Sequence, residues 1–115
     1  MTLKRWQDIP EETLSATFTR RMIHSERLTI ARLRLKQGCV VPRHSHENEQ
    51  VSTVESGKLR FFFDDKTVDV GADESLVIPP NVPHQAEALE DTVALDIFSP
   101  PRQDWISGDD AYLRR

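Results

Sequence analysis

The sequence predicts an all-β domain, a sandwich or barrel of roughly eight or nine short strands. Several segments alternate apolar and polar residues with a period of two, which is typical of half-buried strands. Turn-forming residues separate these segments at intervals of about 8–12 residues. The chain has 115 residues, enough for one hydrophobic core but not for two. It contains no long helical pattern, internal repeat or low-complexity stretch.

The alternating segments are distributed along the whole chain. The segment from Ala16 to Ile23 is typical of a strand, although its alternation is less regular. The clearest strands carry the apolar positions Ala31, Leu33 and Leu35; Leu59, Phe61 and Phe63; Val68 and Val70; and Val93, Leu95 and Ile97. Turn signals separate them at Gln37-Gly38, Ser56-Gly57, Asp64-Asp65, Gly71, Pro79-Pro80-Asn81 and Glu90-Asp91.

The last segment predicts a short tail. Pro100-Pro101 stiffens the passage out of the last strand, and Trp105-Ile106 indicates a helical turn that Gly108-Asp109 ends. Trp105 and Tyr112 either pack this tail onto the barrel or cap a pocket at its mouth, and packing is favoured because aromatic residues dominate such contacts.

Composition narrows the class of protein. Hydrophobic residues make up 37% and charged residues 30%, and the net charge is −4, which is typical of a soluble domain without nucleic-acid partners. One cysteine, Cys39, allows no intramolecular disulfide. We find neither a signal peptide nor a membrane span. We therefore expect a cytoplasmic protein with no nucleic-acid or membrane partner.

Three histidines and a glutamine suggest a metal site. His44 and His46 are two residues apart, which on a strand places both rings on one face. Gln50 shares their parity and joins them if the strand continues or bends only mildly. His84 follows the rigid turn at Pro79-Pro80-Asn81. Three imidazoles and a carboxamide oxygen form a reasonable ligand set for a divalent transition metal.

Other residues compete for this role. Glu49 and Glu47 are rival ligands, but their odd parity points them to the opposite strand face. A lone His-x-His pair is often only a solvated strand face. The fourth histidine, His24, is expected at the surface.

Two segments resemble the two cupin motifs. Gly38, five residues, His44, Ser45, His46, three residues, Gln50, six residues and Gly57 resemble the first; Pro79, Pro80, Asn81, two residues and His84 resemble the second. The resemblance implies a cupin double-stranded β-helix, a jelly-roll barrel in a single domain with a short C-terminal tail. We divide the chain into an N-terminal arm and strand (1–26), a barrel core (27–98) and the tail (99–115).

The chain departs from the cupin pattern at several positions. Gln50 stands where glutamate is usual, Asp73 and Asn81 stand at glycine positions, and Ala88 replaces a final asparagine. Asparagine tolerates such a position because it enters the left-handed backbone region. Glutamine cancels no metal charge, so a site of net +2 favours anionic ligands and Lewis-acid chemistry. Oxygenase chemistry is disfavoured because the usual two-histidine, one-carboxylate set is missing.

A second group of residues lies near the end of the last strand. Asp96 and Phe98 share one strand face, while Val93, Leu95 and Ile97 occupy the other. The pattern alone leaves open which face looks into the barrel.

Asp96-Ile97-Phe98-Ser99-Pro100-Pro101-Arg102, with Asp104-Trp105 and Tyr112-Leu113-Arg114, resembles the tail of the KdgF family of pectin- and alginate-degradation cupins, which also has glutamine at the position of Gln50. The resemblance implies a cytoplasmic homodimer with one divalent metal ion (Ni, Zn, Mn, Fe or Co) held by His44, His46, Gln50 and His84. It implies conversion of 4,5-unsaturated monouronates, small anionic sugars, into linear keto-uronates. Asp96 is then the general acid/base and Phe98 lines the pocket.

The resemblance also implies that Arg102 grips the sugar carboxylate through its planar fork.

Two alternatives to this function remain open. One is another metal cupin enzyme, an isomerase or a dioxygenase; the other is a cupin that binds a small ligand without turnover.

Overall fold

Ten strands and three short helices make up the computed structural model, which describes residues 1–114. The strands are β1 (Glu12–Ser15), β2 (Phe18–His24), β3 (Thr29–Leu35), β4 (Val40–His44), β5 (Glu49–Ser56), β6 (Lys58–Phe62), β7 (Thr67–Gly71), β8 (Ser75–Ile78), β9 (His84–Ala88) and β10 (Thr92–Ser99). The helices are α1 (Gln103–Ile106) and two 3₁₀ turns, Trp6–Asp8 and Ala111–Leu113. The all-β prediction is confirmed.

The strands form two antiparallel sheets. One sheet has six strands in the order β1-β2-β3-β10-β5-β8, and the other has four in the order β4-β9-β6-β7. Side chains from both sheets meet in one hydrophobic core, which includes Leu33 and Ala94 from the first sheet and Phe61 and Ala86 from the second. This arrangement is the jelly-roll barrel expected from the sequence.

β10 settles the question that the alternation left open. Its even-numbered residues, from Thr92 to Phe98, are buried, whereas Val93, Leu95 and Ile97 are only half-buried on the outer face. The register explains this orientation, because Asp96 lies between Ala31 of β3 and Ser52 of β5. Both neighbours are small and face inward, so they leave room for a carboxyl group inside the barrel.

The N-terminal strand prediction is only partly right. Within the predicted segment from Ala16 to Ile23, the residues from Phe18 onward do form one strand, β2, whereas Ala16 and Thr17 form the turn that separates it from β1. The turn has no glycine, proline or asparagine to signal it. Instead the backbone N–H of Thr17 donates to the hydroxyl of Ser15 over 3.2 Å, a local side-chain bond that supports a turn.

Asp73 and Asn81, the residues at the two usual glycine positions, both adopt left-handed backbone angles, with φ of 65° and 64°. Aspartate and asparagine are the non-glycine residues that tolerate this region best. Gly57 has φ of 90°, and a Cβ there would lie 2.4 Å from the carbonyl oxygen of Asp91. The substituted positions therefore keep the backbone that the motif requires.

The chain after β10 folds back over the barrel. Trp105 of α1 and Leu113 of the last 3₁₀ turn are buried in the core. A buried ion pair holds this tail, because Arg20 of β2 donates to Asp110 over 2.7 Å. β10 itself extends to Ser99, one residue past the predicted end of the barrel core. Across residues 1–114, no helix has the length and apolarity needed to cross a bilayer.

Candidate metal centre and pocket

The fold brings the three predicted histidines together. His44, at the end of β4, pairs in register with His84, at the start of β9. Their ring centroids are 4.4 Å apart, and that of His46 lies 5.5 Å from His44 and 5.2 Å from His84. Each ring offers one nitrogen, and these nitrogens all lie within 4.8 Å of one another.

The strand argument for this cluster does not hold. β4 ends at His44, His46 lies in the loop that follows, and Gln50 belongs to β5 of the other sheet. The residues converge because the chain crosses from one sheet to the other between 45 and 48, and not because a single strand face carries them. The rivals Glu47 and Glu49 are exposed.

Backbone carbonyls fix the orientation of all three rings. The Nδ1 atoms of His44, His46 and His84 lie 2.8, 3.0 and 2.8 Å from the carbonyl oxygens of Pro42, Asn48 and Val82. A carbonyl can only accept, so each neutral ring carries its hydrogen on Nδ1 and keeps a free lone pair on Nε2.

Burial keeps these rings neutral. Burial lowers the pKa of His44 and of His46 to about 4, with neighbouring positive groups adding to the effect. Burial also lowers the pKa of His84. Neutral imidazoles whose Nδ1–H donates to a backbone carbonyl are a usual form of histidine metal ligands.

Two features of the cluster favour a bound cation. Nε2 of His46 lies 3.0 Å from Oε1 of Gln50, and with Nδ1 protonated both atoms are acceptors. Two acceptor lone pairs this close would be satisfied by a cation that both atoms coordinate. Nε2 of His84 is buried and has no hydrogen-bond partner among the described residues. The donor set therefore fits a divalent transition metal.

Asp96 contacts this cluster through Gln50. The Gln50 amide donates to the Ser52 hydroxyl over 2.8 Å and to Oδ2 of Asp96 over 3.3 Å. Oδ1 of Asp96 is buried and has no partner in the described part of the chain. Burial raises the pKa of Asp96 to about 6, although the Ser52 hydrogen bond and the charge of Arg102 oppose the rise. The group can thus carry a proton near neutral pH.

Arg102 is placed differently from the predicted fork. Asp104 takes that edge, because Nε and Nη2 donate to its carboxylate over 3.0 and 2.8 Å. Nη2 also donates to the hydroxyl of Tyr112 over 2.9 Å. Only Nη1 lacks a partner among residues 1–114. The guanidinium lies over the rings of Phe98 and Trp105, at 4.8 and 4.0 Å from their centroids.

One small cavity joins most of these groups. Its volume is about 40 Å³, and it is lined by His44, Gln50, His84, Asp96, Phe98 and Arg102, together with Trp105, Tyr112 and Leu113 of the tail. His46 lies behind Phe98, with ring centroids 5.6 Å apart. Such a volume holds a few waters, far less than the several hundred Å³ of a typical ligand site. The tail residues close the site.

Several residues of this site have weaker signals in the sequence. The sequence favours packing of Tyr112 onto the barrel, yet its ring lies 5.1 Å from that of His44 and lines the cavity. Ser52 shares the parity of Gln50 on β5, which was a usable signal. Asn48 had none: its side chain donates to the carbonyls of Pro100 and Pro101 across the loop. His24 is exposed, as expected.

The comparisons with known proteins agree with this architecture. A KdgF structure from Halomonas sp. superposes with a TM-score of 0.79 and 24% identity, covering 86% of this chain and 94% of that one. An RmlC-like cupin from Shewanella frigidimarina gives 0.84 and 24%, covering 91% and 96%. The polyketide cyclase RemF from Streptomyces resistomycificus gives 0.72 and 21%, covering 87% and 79%. At these identities the likeness shows the fold.

The family itself is shown by sequence. A search of curated proteins finds no significant match. Residues 31–98, more than half of the chain, match the Cupin domain family. That segment runs from β3 to β10 and contains every proposed metal ligand. With the two-sheet barrel and the clustered histidines, this match places the chain in the cupin domain family.

Proposed function

We propose that this cupin is a metal-dependent enzyme that opens the rings of 4,5-unsaturated monouronates and yields linear keto-uronates. The observation that carries the proposal concerns Asp96. This buried carboxyl contacts the proposed ligand Gln50 through Oδ2, and its Oδ1 has no partner among the described residues. It also lines the same cavity as Arg102. The likeness to KdgF supports the same substrate class.

The chemistry is an isomerisation that needs proton transfer. The hemiacetal hydroxyl loses its proton and becomes a carbonyl group as the bond between carbon 1 and the ring oxygen breaks, with its electron pair moving to the ring oxygen. The resulting enolate accepts a proton at carbon 4. Asp96 is positioned to move that proton, and a positioned acid or base typically contributes about 10²–10⁴-fold. We propose that a divalent metal ion is held by His44, His46, Gln50 and His84. When bound, it would supply Lewis-acid stabilisation of negative charge on oxygen.

The rest of the pocket serves binding and exclusion of water. The unpaired Nη1 of Arg102 can donate to the substrate carboxylate. Phe98 supports this arginine by stacking beneath it. The cavity of about 40 Å³ requires the covering tail to move aside before a sugar ring enters, and its return excludes bulk water.

The direct test follows loss of the ultraviolet absorbance of an unsaturated monouronate. We expect the metal-loaded protein to accelerate this loss, and we expect chelation or His46→Ala to remove the acceleration. Glu47→Ala, next to His46 in the chain, is the control, because Glu47 is exposed. Equal rates with and without the protein would rule out the activity. Retained binding without acceleration would instead favour the ligand-binding alternative.

Assembly and location complete the proposal. The outer face of the six-stranded sheet carries half-buried Leu95 and Ile97, and Val77 at its edge strand is 60% exposed. Burial of such a face supports a homodimer, and we propose a cytoplasmic one. Light scattering coupled to gel filtration measures the assembly, and a monomer mass would refute the dimer.

A further inference from the structure

The guanidinium of Arg102 has one edge left for a ligand. Its Nε–H and the neighbouring N–H of Nη2 face Asp104, at 3.0 and 2.8 Å. The second N–H of Nη2 points to the opposite edge, which it shares with Nη1 in the planar group. That N–H donates to Tyr112 over 2.9 Å. The Tyr112 oxygen therefore lies on the edge where Nη1 is unpaired.

The Tyr112 hydroxyl has a hydrogen to give. Its oxygen accepts from Arg102 and, over 3.2 Å, from Nε1 of Trp105. A phenol oxygen that accepts two hydrogen bonds has used its lone pairs, so the only hydrogen-bonding capacity left on the hydroxyl is its O–H donor. The described chain provides no hydrogen-bond acceptor for it. Tyr112 lines the same cavity as Asp96 and His84, and its ring lies 5.1 Å from that of His44.

We infer that Tyr112 is a substrate-binding residue whose O–H, together with Nη1 of Arg102, holds the carboxylate of the sugar. A carboxylate has two acceptor oxygens, and the pair offers one donor to each. The two donors replace the arginine fork that Asp104 occupies. The identity of the ligand as a monouronate rests on the proposed function; the pairing of the donors rests on the geometry.

Tyr112→Phe tests this role because it keeps the ring and removes only the hydroxyl. We measure binding of a saturated monouronate, D-galacturonate, to the metal-loaded protein by calorimetry, with D-galactose as the uncharged control. Hydrogen bonds to charged groups predict a loss of about tenfold to a hundredfold in affinity for galacturonate. The affinity for galactose should not change. In turnover, KM should rise while kcat stays near its original value.

A double-mutant cycle separates binding from support of Arg102. If Tyr112 donates directly, Tyr112→Phe weakens galacturonate binding further when introduced into Arg102→Met. No further loss in that background would assign the tyrosine to support alone and overturn the inference. The chain has a single tyrosine, so a ligand-induced tyrosine absorbance change in the wild type offers a third readout.

The outcomes also separate this inference from the proposed function. Uronate binding that is weakened by Tyr112→Phe, without turnover by the wild type, keeps the inference and refutes the activity. Turnover with unchanged galacturonate affinity in Tyr112→Phe does the reverse. If the wild type binds no uronate, both are wrong.

Discussion

At the scale of single residues, Asp96 combines deep burial with an incomplete set of hydrogen bonds. Only 8% of the residue is exposed, and Oδ1 has no partner among the described residues. Buried polar atoms without partners are rare because each costs free energy. Such an arrangement is typical of sites where a ligand or a reaction completes the bonding.

Asp96→Asn should keep the fold and the metal, since an amide has the same shape and Asp96 is not a proposed ligand. We expect turnover of an unsaturated monouronate to fall by about 10²–10⁴-fold, because the amide cannot carry the proton. Ultraviolet kinetics together with metal analysis measure both effects. Asp69→Asn, at an exposed site, controls for loss of charge. A near-normal rate would remove Asp96 from the mechanism.

Arg102 shows a second residue-scale effect, because the side chain that we propose to bind the sugar also packs against its neighbours. It is only 1% exposed and lies over two aromatic rings. Arg102→Ala should therefore lower the free energy of unfolding by about 2–3 kcal/mol besides weakening sugar binding. Arg102→Met fills more of the space and should lose binding with a smaller loss of stability. Urea unfolding compares the two, and equal stabilities would show that packing is unimportant.

At the scale of elements, the crossover loop between β4 and β5 connects the histidine cluster to the tail. Its residue Asn48 uses its backbone carbonyl to orient His46, at 3.0 Å. Its side chain donates to the carbonyls of Pro100 and Pro101, which directly precede Arg102. A backbone N–H of Asn81, in the turn before His84, donates to the His46 carbonyl over 2.8 Å. The loop is thus a junction of three segments.

Asn48→Ala separates these functions. The backbone carbonyl persists, so metal affinity should be kept, while the loss of both side-chain bonds should loosen the segment before Arg102 and raise KM. Loss of two hydrogen bonds, each worth about 0.5–1.5 kcal/mol, should lower the free energy of unfolding by about 1–3 kcal/mol. Metal titration and kinetics measure the split. Metal loss as complete as in His46→Ala would contradict it.

At the scale of the whole molecule, an ion pair between distant parts of the chain holds the tail against the barrel. Arg20 of β2 bonds Asp110 in the tail, and Arg114 also donates to Asp110 over 3.2 Å. Burial alone would raise the pKa of Asp110, but the hydrogen bonds from Arg20 and Arg114 outweigh it and hold that pKa below its ordinary value.

This lowered pKa predicts the direction of acid denaturation. A carboxyl with a lower pKa in the folded state adds stability above its unfolded pKa of about 3.9, and the contribution is lost as the pH falls through the folded pKa. Asp110→Asn should lose stability at neutral pH and show less acid-induced loss below about pH 4. Unfolding at several pH values measures this, with exposed Asp109→Asn as control. Parallel profiles of wild type and Asp110→Asn would contradict it.

The sequence by itself determined the all-β class, because a period of two and regular turns are local properties. It also identified the residues of the candidate cluster, since histidines and glutamine at motif spacing carry their chemistry with them. It did not explain their convergence: His44, His46 and Gln50 were placed on one strand, whereas a crossing between sheets brings them together.

Only the tertiary structure decided which face of β10 points into the barrel and which edge of the Arg102 guanidinium is occupied. Both faces of β10 carry apolar residues, so the alternation does not predict which face is inward. The small neighbours Ala31 and Ser52 leave room for the Asp96 side chain on the inner face. Asp104 occupies the guanidinium edge that sequence reasoning reserved for the substrate. Pairing partners and free hydrogen-bond donors depend on contacts between distant segments, and for that physical reason they are decided by the folded chain.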